Sequence, residues 1–169
     1  MAIINKTGGL GYNMTSQMAV IMRNLNHELQ NIKKGTQAGL IEAMIHIRRE
    51  TETTAPITPV DTGNLRASWF SVTAKGRIPD PIGRRNFKGD KKGIMQSEHS
   101  QLIAEAQSMT GGREPVAIGG YSANYAAPVH EMLGANFQRP NAGPHWLQAA
   151  INRNKDKLVQ IVGNKAKIK

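Results

Sequence analysis

The stretch APITPVDTGNLRASW, residues 55–69, crowds two prolines, an Asp-Thr-Gly triplet and a lone arginine ahead of a run of bulky residues. Pro56 and Pro59 end whatever helix precedes them, and Thr54 and Ala55 are pushed out of helical geometry by the proline that follows. Asp61 is expected to cap a short turn through its side-chain oxygen, with Gly63 taking a positive φ. Beyond the turn, Phe70, Val72 and Ala74 alternate with Ser71 and Thr73, the pattern of a strand with one buried face. Trp69 reads as core. The stretch is a corner where a helix hands over to a sheet.

Upstream, Met14, Met18, Ile21, Leu25, Leu29 and Ile32 recur at three- and four-residue steps, and Leu40, Ile41, Met44, Ile45 and Arg48 continue the stripe past Gly35. One glycine costs a helix only about 1 kcal/mol, so the spacing predicts one long helix over about 15–53, with a weak point at Gly35. Thr15 or Ser16 is placed to cap its start. Residues 1–13, with Gly8, Gly9 and Gly11, read as a flexible or partner-dependent lead.

Downstream, residues 75–93 carry Lys75, Arg77, Arg84, Arg85, Lys88, Lys91 and Lys92 against only Asp80 and Asp90. Glycines and prolines break any periodicity there, so the segment reads as a basic loop. A weak helix over 95–109 and a strand over 116–121 follow. A short helix or turn is expected over 124–133, then a loop over 134–144. The last helix, 144–162, carries Leu147, Ile151, Leu158 and Val162 on one face. Residues 164–169 form a basic tail. The expected class is α+β: one domain with long N-terminal and C-terminal helices on a small β-sheet. Between the strands lies an inserted lobe, about 75–113, made of the basic loop and a short helix.

The 169 residues include no cysteine, which excludes disulfides, thiolate metal sites and a cysteine nucleophile. A hydrophobic content of 39% with only 5% aromatics makes a thin core, one that partner chains would complete. The net charge of +10 points to nucleic acid, an acidic partner or an anionic surface. No apolar run is long enough to span a membrane.

Catalytic and metal constellations fail on spacing. HEMLG (130–134) starts like a zinc-protease helix, but position 134 is glycine, and the five histidines are scattered at 27, 46, 99, 130 and 145. GGLGYN (8–13) lacks the third glycine of a dinucleotide fingerprint. Asp80 followed by Asp90-Lys91-Lys92 fits a loose nuclease pattern, but in a stretch with no strand periodicity to hold magnesium ligands. The expectation is no enzyme, no cofactor and no metal. Phe87 is the one aromatic in the basic loop, so base stacking is poorly provided for.

These blocks resemble the signature of bacteriophage neck and tail-completion proteins, which join head to tail. Pro59, Val60, Asp61, Thr62, Gly63, Leu65, Arg66 and Ser68 match the first block. Tyr125, Ala126, Val129 and Glu131 match the second, and Pro144, Trp146, Leu147 and Ala150 the start of the last helix. Where such proteins often continue "E-f-G-t", this chain has Glu131-Met132-Leu133-Gly134. The resemblance covers about residues 15–162. It implies a virion protein assembled in the host cytoplasm, acting by binding. Roughly six copies, with twelve the alternative, would form a closed ring. Its neighbours would be adaptor or head-closure rings and tail-terminator or tail-tube proteins, with non-specific contact to DNA in the lumen and none to membrane. The structural corner is then Pro59, Asp61, Thr62, Gly63, Leu65 and Arg66, and Arg66 and Glu131 are placed to pair across it or to be solvated separately. The candidate interface is Arg84, Arg85, Lys88, Lys91, Lys92, Tyr125 and Glu131. The rival reading is a free basic DNA-binding protein carrying the weak nuclease-like pattern.

Overall fold

The computed structural model describes residues 9–83 and 85–167, with side chains from residue 17 onward. The long helix α1 runs unbroken from Gly9 to Thr53, so it starts before the expected residue 15. At 1.5 Å per residue its 45 residues span about 67 Å. The expected lead is helical over its last five residues, while residues 1–8 lie outside the described residues.

Gly35 is a contact and not a weak point. A Cβ there would run into the carbonyl of Lys165, and one at Gly39 would lie 2.7 Å from the Cα of Val162. The two glycines, one turn apart, let α5 (Trp146–Ala166) approach α1 backbone to backbone. This antiparallel pair is the largest interface between elements. His46 Nε2 to Asn154 Oδ1 at 2.9 Å, and Arg153 donating to the carbonyls of Thr54 and Ala55, hold its other end. Trp146 and Ala150 are the buried residues of α5, whereas Ile151, on the expected apolar face, is exposed. The anticipated basic tail is helical as far as Ala166.

After α1 the Ala55–Pro56 peptide is cis, and the chain turns through Gly63, φ +87°, into the single turn α2 (Asn64–Ala67). Strands β1 (Trp69–Thr73), β2 (Gly76–Arg77) and β3 (Ala117–Tyr121) form an antiparallel sheet in the order β2-β1-β3. Trp69 stands opposite Tyr121, and Thr73 opposite Ala117. The strand β2 lies inside the segment expected to be loop.

Every residue of β1 is buried, Ser71 and Thr73 included, where alternation predicted one covered face. The inserted lobe supplies the reason. Its helix α3 (Lys92–Met109) lays Ile103 and Ala106 on Phe70 and Val72. The opposite face lies under α1: a Cβ at Gly119, the partner of Ser71, would meet Cε of Met44. Ala74, expected inward, is past the strand end and exposed. The insertion is therefore the third layer of an α+β fold, over a sheet that α1 covers on its other side. The short helix α4 (Ala126–His130) joins Leu65, Ala123 and Trp146 in a second apolar cluster beneath the corner.

Candidate functional site

The corner is built around an arginine that the apolar stripe carries inward. Arg48 is fully buried at the inner face of α1. Its guanidinium donates to Glu52 Oε1 at 3.1 Å, to Asp80 at 3.2 and 3.4 Å, and to the carbonyl of Arg66 at 3.1 Å. It lies over the rings of Trp69 and Tyr121, 5.1 and 5.8 Å from their centroids, where the negative π faces favour a cation. Glu52, one turn on, has a side chain 4% exposed and gathers two more cations. Arg66 approaches Oε2 at 2.6 Å and Arg139 at 2.9 Å. Arg139 also donates to the carbonyls of Thr58 and Glu52.

A hydroxyl chain completes the junction. Tyr121 Oη and Thr58 Oγ1 are 2.8 Å apart, and Thr58 donates to the carbonyl of Thr51 at 2.9 Å. Three arginines and two carboxylates thus tie the end of α1, the corner, the insertion, β3 and the 134–144 loop to one point. Removing a partner from such a buried set strands a charge and costs about 3–5 kcal/mol.

Two sequence expectations for the corner are corrected here. Arg66 pairs with Glu52 and not with Glu131, because α2 turns it back under α1. Glu131 lies at the end of α4 beside His130 and His145. Asp61 makes no cap: α2 has no side-chain cap at all, and the nearest contact is Asn64 N–H to Thr62 Oγ1 at 3.4 Å. Asp61 is exposed and acts on Tyr125, whose phenol burial, and then the Asp61 charge, push above the ordinary tyrosine range. Pro59 and Leu65 are buried as a corner requires.

The first and second signature blocks meet in space. Val60, Gly63 and Leu65 form one wall of an open groove of about 470 Å³, and Tyr125, Val129 and Met132 form the other. A second cavity, about 630 Å³, lies over β1 between Trp69, Asp80, Phe87 and His99, with Arg85 at its rim.

Of the basic candidates, Arg85, Lys88, Lys91 and Lys92 are exposed, and Arg84 lies outside the described residues. The segment is more structured than its composition suggests. Asn64 accepts from the Lys88 N–H at 2.8 Å and donates to the Lys88 carbonyl at 3.1 Å. Ile78 and Phe87 are buried, and Asp80 is held by Arg48. Phe87 sits edge-on to His99 with its ring covered, so it offers no face to a base. Neither Asp80 nor Asp90 lies on a strand, and Asp80 is engaged by arginine, which leaves the nuclease-like pattern without the rigid carboxylate pair it requires.

Sequence reasoning missed two groups. Arg48 was legible only as a stripe position, and Glu52 and Arg139 carried no motif. The other group is His130, Glu131 and His145, brought together across a 14-residue gap by the start of α5. His130 Nδ1 lies 2.6 Å from Glu131 Oε1, and this hydrogen bond, with the nearby His145, holds the Glu131 carboxyl below the ordinary glutamate range against a smaller effect of burial.

The chain matches no family model, no curated protein and no solved structure. Among the described residues, no helix is long and apolar enough to cross a membrane.

Proposed function

We propose that the protein is a structural component of a tailed-bacteriophage virion, a ring of copies at the head–tail junction that joins the filled head to the tail by binding. One observation carries this reading. Among the described residues, nothing covers the N-terminal half of α1, which extends past the end of α5. Along it, Met18, Met22, Leu25 and Leu29 are 46–61% exposed, with Ile21 beside them. Their alternating four- and three-residue steps are the seam spacing of paired helices. A helix carrying such a stripe to water is one that another surface covers. The clamped corner supports the same reading, because it fixes the angle at which this arm leaves the body. The signature resemblance, which implies a ring at the neck, supports the same reading of the arm.

The test is joining in vitro. Filled heads and free tails from a phage lacking the chain should yield infectious particles when the purified protein is added. The double variant Ile21→Asp, Leu25→Asp should fold normally and fail to join them. Joining at wild-type yield by that variant, or none by the parent, contradicts the proposal.

The exposed cations at 85, 88, 91 and 92 favour a second reading, a free DNA-binding protein. It predicts affinity for duplex DNA that falls steeply with salt, without closed assemblies.

A further inference from the structure

His130 and His145 are held together by the backbone as well as by their side chains. The His145 N–H donates to the His130 carbonyl at 2.8 Å, and the two rings stand edge to face with centroids 5.4 Å apart. His145 opens α5 in a left-handed conformation, φ 55°, yet makes no side-chain cap with the helix. Its imidazole is directed to the cluster. Among the described residues, buried Nε2 of His130 has no hydrogen-bond partner, and buried Nδ1 of His145 has only Glu131 Oε2, at 3.4 Å and short of a hydrogen bond. Such atoms cost free energy unless something occupies them. Glu131 closes the third side, and one ligand atom from each residue lies within 4.8 Å of the other two.

We propose that His130, Glu131 and His145 form a divalent metal site of the zinc class, tying the end of α4 to the start of α5. Two imidazoles and one carboxylate suit zinc, cobalt or nickel and are a poor set for calcium or magnesium, which take oxygen. A tetrahedral ion with bonds of about 2.0–2.2 Å keeps its ligand atoms about 3.3 Å apart. Nδ1 of His145 and Oε2 of Glu131 are already 3.4 Å apart. The shorter His130–Glu131 hydrogen bond opens by rotation of the Glu131 carboxylate, 64% exposed and free to turn. Because Glu131 is exposed, water could fill a fourth position. The two histidines come from segments joined by the 131–144 loop, so the ion would staple that loop, including exposed Met132 and Leu133, at its base. This inference is independent of the assembly reading.

Titration of the untagged full-length chain with zinc chloride tests it. One ion should bind per chain, with Kd of about 10 μM or tighter. Saturating zinc should raise Tm by roughly 5–10 °C. Cobalt should give the visible absorption of a tetrahedral centre, lost on adding EDTA. His145→Ala and Glu131→Gln should each weaken binding at least about tenfold, while His27→Ala on the far arm of α1 leaves it unchanged. Glu131 is exposed, so its variant keeps the test open should His145→Ala unfold. Absence of saturable binding, or equal affinity in the Glu131→Gln protein, overturns the proposal.

Discussion

Glu52 is the residue on which the corner turns, because its buried carboxylate meets three guanidinium groups, with Asp80 a second acceptor for Arg48. Glu52→Ala should cost about 3–5 kcal/mol, lowering Tm by about 8–15 °C for a chain of this size. A thermal melt with Tm within 2 °C of the parent's would show that the arginines are solvated instead. Gly63→Val should also destabilise, by about 1–2 kcal/mol, since a β-branched residue resists φ +87°. Asp61→Ala should change stability little, because no cap is lost. The Asp61 charge is instead visible in Tyr125. A phenol whose ionisation is raised in the folded chain favours the neutral form, so the folded state loses stability as pH rises past the ordinary tyrosine range. Ultraviolet titration should place Tyr125, assigned with Tyr125→Phe, above that range, and Asp61→Asn should bring it partway down. An unmoved midpoint would separate the two residues. At this scale the sequence was least legible. Gly63 declared its backbone angle because only glycine accepts it cheaply. Arg66 and Arg139 reach Glu52 from 14 and 87 positions away, and His145 reaches Glu131 from 14, separations that no local pattern encodes.

Elements were easier to read than their contacts. Hydrophobic periodicity marked α3 and α5, and alternation marked β1, within a few residues of their bounds, while α1 was marked at its end and six residues late at its start. What periodicity could not supply was the layer order. The alternation in β1 suggested one wet face, but α1 and α3 cover both, with Ser71 and Thr73 serving as small residues under a close helix. Likewise Gly35 carries the signature of a helix weakness whether or not a second helix lies against it. The distinction is measurable. Gly163→Ala, in open space on α5, should stabilise by about 0.5–1 kcal/mol through helix propensity alone. Gly39→Ala gains the same propensity but drives a Cβ into the Val162 backbone, so it should lower Tm. Equal stabilisation by both would mean that α5 does not approach α1 as closely as described.

For the whole molecule, the body and the arm have opposite characters. The body is closed by apolar clusters and a charge clamp, while the arm of α1 presents apolar residues to water. The exposed cations Arg85, Lys88, Lys91 and Lys92 stand on a segment pinned by Asn64, Ile78 and Phe87. In a ring they would still repel one another, since a Debye length of about 8 Å leaves near neighbours unscreened. A ring tolerates this where phosphates or acidic neighbours face the cations, so neutralising Arg84, Arg85, Lys88, Lys91 and Lys92 together should preserve the melt of the isolated chain and weaken head–tail joining, and raised salt should do the same to the parent. Full joining by that variant would make the cations a solvated surface. The central claim, that copies of this chain form the junction, is tested most directly by image reconstruction of the neck in virions that encode it. The account predicts a closed ring of identical subunits. Each should contain a helical rod of about 67 Å whose Met18–Leu29 face lies against a neighbouring chain. A neck without this subunit, or a subunit whose arm stands free in solvent with that face uncovered, would contradict it.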